Sequence, residues 1–307
     1  MMIMEESFAS NMHAWIHYTI YEPKVILRVK GVVMIWHDVS ENSHSYVHFA
    51  NYLSQNGYVV VVSDLVGHGR SLIDFEQGYF GEGDVLEGII EDMHKLQLML
   101  FNRYRDTLYF SIGVGFGASL LKVFASRYGD YIQGMILLSE PKNFTFPLSI
   151  TLRYKIVRRF KGPMHHSDRL LRKERRHLSS GIGRDPLAWM THDEKEIRRF
   201  EVDTLSNFSY TLKGYKDLVD TNRQANQIDV LRTTPSYLPI LLLSGDEDPI
   251  THKGKDTKEI YEMYKSLGIT DLSMEIIKEG RHVLLKELNK EEVYKIIRNW
   301  LNDRTFI

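Results

Sequence analysis

The chain contains no cysteine, which excludes disulfides, thiolate catalysis and cysteine-based zinc or iron–sulfur sites and is compatible with a reducing compartment. It has almost no charge imbalance either, with 39 basic residues against 40 acidic ones and a net charge of −1. There is therefore no global electrostatic footprint of a nucleic acid partner, and any charge signal must be local. Apolar runs such as Tyr58 to Val62 are strand-sized, far short of the ~20 residues that a membrane-spanning helix needs. The first residues, MMIMEESFAS, have neither the basic start nor the apolar stretch of a secretory signal. A soluble, cytoplasmic protein is expected. The 13 histidines show no ligand spacing. His165 and His166 are neighbours and point different ways on a helix or strand, so neither a metal nor a cofactor is expected.

What is present is an ordinary globular composition, 43% hydrophobic and 26% charged over 307 residues, enough for a large buried core. The first half alternates short β-branched runs with helical patterns, the signature of a parallel sheet covered by helices. Strands are expected at Val25 to Val29, Gly31 to Trp36, Tyr58 to Ser63, Leu108 to Ile112 and Ile132 to Leu138. Crossover helices are expected at Tyr46 to Asn56 and Glu87 to Arg103. From about Lys142 to Gln227 long charged helical stretches replace the alternation. It then resumes with a strand at Leu238 to Ser244, a helix from Gly254 to Leu267, a strand at Leu272 to Ile277 and a helix from Lys290 to Leu301. The expectation is an α/β fold: a mostly parallel central sheet flanked by helices, with core segments 1–141 and 228–307 and a helical cap inserted at 142–227.

The segment Tyr109 to Ser119, YFSIGVGFGAS, has the layout of a nucleophile elbow, the sharp strand-to-helix turn that lifts one side chain above the end of a strand. The usual pattern is G-x-S-x-G. Here Gly113, Val114, Gly115, Phe116 and Gly117 fill it, so glycine occupies the nucleophile position. Ser111 lies four residues earlier in the strand and Ser119 one turn into the helix, so neither is expected to reach the apex. Other segments fall after expected strands, where ligands bind in open α/β sheets: His37 to Ser43, Gly245 to Ile250 with Asp248, and Gly280 to His282. A histidine positioned by a carboxylate serves as a general base, and Asp248 and His282 suit those roles. The amides of Val39 and Phe116 are the expected oxyanion donors. His68, between Gly67 and Gly69, is read as shaping a turn, with Asp64 fixing the strand end.

These motifs, taken in order, resemble the monoacylglycerol lipase and lysophospholipase group of α/β-hydrolases, within the serine aminopeptidase S33-type hydrolases. HDVSENSHSY is similar to that group's H-G-x-x-E-H-S-x-R-Y, and SDLVGHGRS to its D-x-x-G-H-G-x-S. DTLSNF at Asp203 to Phe208, with Thr211, Tyr215 and Leu218, extends the match into the second half. GDEDPI and EGRHVLLKELNKEEVY complete it. The resemblance implies a serine hydrolase of acyl glycerols and related esters, needing no cofactor. The departures concern the chemistry: the group's elbow reads G-H-S-M-G, Asp38 replaces a glycine after His37, and Val283 replaces an acid that often follows the histidine. The resulting expectation is a lipid- or ester-binding protein that keeps the Asp248/His282 pair but has little or no serine-hydrolase activity. The alternative is an active ester or lipid hydrolase using water activated by His282, or a different nucleophile. Basic residues from Arg153 to Arg176 interleave with Leu152, Ile156, Val157 and Phe160. A solvated helix face accounts for such a run, and so does peripheral contact with an anionic membrane.

Overall fold

Five strands are buried from end to end, and the alternation of their side chains builds two cores at once. Val32, Met34 and Trp36 of one strand enter one cluster, whereas Val33 and Ile35 enter the other. A period of two with apolar residues on both faces is the pattern of a parallel sheet covered on both sides. The computed structural model describes residues 2–24, 29–144 and 148–305. In chain order the first part comprises β1 (Met2–Ala9), β2 (Trp15–Glu22), β3 (Gly31–Trp36), α1 (Val47–Gln55), β4 (Tyr58–Ser63), α2 (Val85–Arg103), β5 (Tyr109–Val114), α3 (Phe116–Tyr128) and β6 (Gly134–Leu138). Helices follow: α4 (Leu148–Lys161), α5 (Asp168–Leu178), α6 (Glu194–Val202), α7 (Leu212–Ala225) and α8 (Ile228–Arg232). The chain then returns through β7 (Ile240–Gly245), α9 (Lys255–Ser266), β8 (Leu272–Ile277) and α10 (Lys290–Asn302).

The sheet has eight strands in the order β1-β2-β4-β3-β5-β6-β7-β8. β1 and β2 pair antiparallel, as do β2 and β4, and the other pairs are parallel. The expected strands at β3, β4 and β8 match their observed bounds. The others shift: β5 extends to Val114, β6 begins at Gly134 rather than Ile132, and β7 runs Ile240–Gly245. The expected strand at Val25 to Val29 lies outside the described residues except for Val29, which is in no strand. The amino-terminal hairpin of β1 and β2 is an addition to the expected strands. β1 is an edge strand, largely exposed and carrying Glu5 and Glu6, so its apolar signal is weak. Among the described residues no helix is long and apolar enough to cross a membrane.

Between β6 and β7, helices α5, α6 and α7 start on side-chain caps. Ser167 accepts from the Leu170 amide, Asp193 from Lys195 and Thr211 from Gly214, satisfying amides that the first helical turn leaves unpaired. A small apolar cluster of Leu187, Met190, Ile197 and Phe200 packs on Val283. That cluster seats this helical region over the loop that follows β8.

Candidate active site

Four loops at the carboxyl ends of parallel strands converge. They follow β3, β5, β7 and β8, and they bring Asp38, Gly115, Asp248 and His282 together. Gly115 is the hinge between β5 and α3, with φ +52° and ψ −111°, a left-handed backbone that favours glycine. Its flanks must also be small. A Cβ on Gly117 would lie 2.1 Å from the Trp36 carbonyl oxygen, and one on Gly113 would lie 2.5 Å from the Ala118 Cα.

Asp248 is fully buried. Its Oδ1 accepts from the Ile250 amide at 2.8 Å, and its Oδ2 accepts from the Thr251 hydroxyl at 3.0 Å. His282 Nδ1 donates to the same Oδ2 at 2.9 Å. The pair expected from sequence is thus in contact. On the other side of the ring, His282 Nε2 meets Asp38 Oδ2 at 2.9 Å.

Asp38 is the residue whose position the sequence did not disclose. The Val39 and Phe116 amides, expected to stand open as oxyanion donors, both donate to Asp38 Oδ1 at 2.7 Å. A Cβ built on Gly115 would fall 2.0 Å from that same oxygen. The carboxylate therefore fills the space above the glycine. Its backbone is fixed as well. The Leu65 amide donates to His37 Nε2 at 2.9 Å, leaving His37 Nδ1 to donate to the Asp38 carbonyl at 2.7 Å. The Tyr46 hydroxyl accepts from the Asp38 amide at 3.3 Å and donates to Glu41, which Lys286 neutralises at 2.6 Å.

His68 does more than shape a turn. Its Nδ1 faces the Val66 carbonyl, so Nε2 accepts from the Tyr210 hydroxyl at 2.7 Å, and that hydroxyl accepts the Ser40 amide at 2.6 Å. Burial lowers the pKa of both His37 and His68, which keeps these rings neutral hydrogen-bonding struts. Asp64 accepts from the Ser43 and Arg70 amides at 2.7 and 2.9 Å, fixing the strand end.

Neither nearby serine is available to His282. Ser111 sits within β5, and the Ser119 hydroxyl is held between Glu140 at 3.2 Å and Asn222 at 3.0 Å. Among the described residues no group of three or more His, Asp or Glu could hold a metal ion.

Burial works against the charge of His282, but Asp248 and Asp38 together outweigh it and raise its pKa to about 10. The ring is an imidazolium at neutral pH. Because the folded value exceeds the 6.5 of an ordinary histidine, this contribution to stability is complete below pH ~6.5 and is lost as pH rises through about 10. Side-chain ¹⁵N spectra should show both ring nitrogens of His282 protonated at pH 7. Unfolding free energy should fall between pH 7 and 10, less steeply in Asp38→Asn. A neutral imidazole at pH 7 would contradict the assignment.

Above Asp38 a partly enclosed cleft runs beneath the helices between β6 and β7. Leu170, Leu171 and Leu178 of α5, Tyr215 and Leu218 of α7, and Phe200 line it. A smaller space is lined by Gly115, Phe116, Ser119 and His282 together with Asp38. Glu174 faces the larger cleft. Desolvation in the cleft pushes its pKa up to about 8, with the Arg175 charge opposing, which favours the protonated acid near neutral pH although the side chain is only half-buried.

A mostly parallel sheet carrying these loops at its carboxyl edge defines the class: the protein has the α/β-hydrolase fold of esterases and lipases. The profile of the serine aminopeptidase S33 family (Hydrolase_4) matches residues 28–289, and the chain belongs to that family. A monoglyceride lipase homolog of monkeypox virus is 23% identical over 288 residues, 92% of each chain. A thermostable carboxyl esterase from Bacillus coagulans, solved in complex with glycerol, superposes with a TM-score of 0.88 at 21% identity, covering 99% of both chains. A soluble variant of the Saccharomyces cerevisiae monoglyceride lipase, in complex with a substrate analog, gives 0.79 at 16% identity over 99% of this chain and 96% of that one.

Proposed function

We propose that this chain keeps the lipase fold and its ligand cleft but has given up serine hydrolysis, and that it binds a single-chain lipid or ester beneath its cap. In this reading Gly115 stands where the family's nucleophile would be. The observation that carries it is the Asp38 carboxylate, which takes both amides a substrate oxyanion would need and fills the space a side chain at 115 would occupy. The alternative, in which His282 activates water for ester hydrolysis, is disfavoured because an imidazolium cannot accept the proton. A lipid ligand is favoured by the leucine-rich wall of the cleft and by the names of the relatives. Native mass spectrometry of the protein with 1-monododecanoylglycerol should show one retained equivalent, lost in Leu171→Arg, and no hydrolysis. Failure to retain the lipid, or its steady conversion to dodecanoate, would overturn the reading.

The cap's outer surface supports a second element of this proposal, contact with an anionic membrane. Leu152, Ile156 and Phe160 are 54%, 48% and 81% exposed and lie four residues apart, on one stripe of α4. Arg153 and Arg159 border that stripe. Each basic residue near an anionic surface contributes about 1 kcal/mol, and salt screens it. Vesicles containing phosphatidylserine should therefore bind the protein in a salt-sensitive manner, and Phe160→Asp should abolish the binding. Equal binding to neutral vesicles would contradict the electrostatic part.

A further inference from the structure

We propose that Asp38 is itself a nucleophile, and that the site opens an epoxide on a hydrocarbon chain to the diol through a covalent Asp38 ester. This rests on the reading that the cleft takes an apolar chain. The two oxygens of Asp38 are differentiated: Oδ1 is pinned by the Val39 and Phe116 amides, whereas Oδ2 faces the His282 ring. The side chain also lines both cavities. A carboxylate that attacks an ester carbonyl forms an anhydride, more reactive than the ester it came from, and collapses backwards. Attack on a saturated carbon instead forms an ordinary ester, and the site already holds what such an ester's hydrolysis requires. The ester's carbonyl oxygen would be Oδ1, seated between two amide donors that also stabilise the oxyanion of the next step. The imidazole beside Oδ2 would be the base.

The steps balance. Oδ2 forms a bond to the less substituted epoxide carbon, the ring C–O bond breaks, and its oxygen takes a proton from the neutral carboxyl of Glu174 across the cleft. The Asp38 charge is consumed in the new ester, so one of the two carboxylates that hold His282 protonated is gone. The ring releases its Nε2 proton, through water, to the Glu174 carboxylate. Neutral His282 then takes a proton from water as the hydroxide adds to Cγ of Asp38. Collapse expels the diol, which leaves with that proton, and the new Asp38 carboxyl returns its own proton to His282. The sum is epoxide plus water to diol. An epoxide is favoured over an alkyl halide because its leaving oxygen needs a proton, which Glu174 can supply.

The test uses the full chain with 1,2-epoxydodecane in H₂¹⁸O under single-turnover conditions. The heavy oxygen should enter the Asp38 peptide and be missing from the diol, because the diol's second oxygen comes from Oδ2. Asp38→Asn should lower turnover about 10³-fold or more. His282→Gln should accumulate a protein heavier by one epoxide, and Asp248→Asn provides a second way to slow the hydrolytic step should that variant not fold. Heavy oxygen in the first-turnover diol would overturn the proposal, as would diol formation that survives Asp38→Asn. Epoxide retained in the cleft without adduct or diol would overturn it while leaving ligand binding intact. No retention at all would sink both.

Discussion

Gly115→Ser alone should leave the protein unreactive toward a fluorophosphonate probe, whereas Asp38→Gly/Gly115→Ser should be labelled at the introduced hydroxyl and hydrolyse monoacylglycerol at least about 10²-fold faster than the wild-type chain. The single change meets two obstacles. Its Cβ would stand 2.0 Å from Asp38 Oδ1, on a backbone at φ +52°. Neither can relax cheaply, because that oxygen holds two amides and the carboxylate's other oxygen holds His282. Destabilisation of about 1–3 kcal/mol is expected from the overlap and strain. Removing the Asp38 side chain as well clears the space, reopens the amides, and takes away one of the carboxylates that keep His282 protonated. Nucleophile, base and oxyanion donors then exist together. Equal labelling of the single and double variants would show that Asp38 does not block the site. Labelling of neither would show that the loops are too far from reactive geometry.

Lys122→Met should cost about 3–5 kcal/mol of stability, a fall in Tm of roughly 5–10 °C for a chain of this size. Lys122 and Glu140 are 0% and 2% exposed and meet at 2.6 Å. Burial lowers the pKa of the lysine and raises that of the glutamate, each offset by the other's charge. Removing one partner leaves a buried carboxylate with only the Ser119 hydroxyl for company. Lys122→Met/Glu140→Gln should recover most of the loss, since replacing both charges removes the desolvation penalty along with the attraction. Thermal unfolding of the two variants decides the matter. A double variant no better than the single would mean the pair is held for its hydrogen bonds to Asn226 and Ser119 rather than for charge balance.

The legibility of the sequence follows from how local each signal is. β3 and β4 are readable because buried valine-rich runs need no partner to be recognised. The Asp248/His282 pair is readable because each residue follows a strand that points it to one edge of the sheet. Gly113, Gly115 and Gly117 announce a turn for the same reason. Asp38 is visible as an acid in place of a glycine, yet its contacts cross to residues 116 and 282, and nothing in the spacing of a linear chain reports which amides a rotamer will reach. β1 is hidden differently, by its position at the sheet's edge. Glu174 reads only as one of few acids in a basic stretch. Its raised pKa comes from burial in the cleft, and part of the apolar wall, Phe200, Tyr215 and Leu218, belongs to other helices.

Asn222 lends the cap an uneven grip on the core. From α7 its amide nitrogen donates to the Ser119 hydroxyl at 3.0 Å and the Pro141 carbonyl at 2.8 Å, while its oxygen accepts the Phe144 amide at 2.7 Å. One turn further on, Asn226 accepts from Lys122 at 2.6 Å. α7 is thereby moored to α3. α4 and α5 carry the outer, basic wall without such an anchor at the elbow. Opening of the cleft is therefore expected to displace α4 and α5 more than α7, and amide exchange in α7 should be the slower of the two.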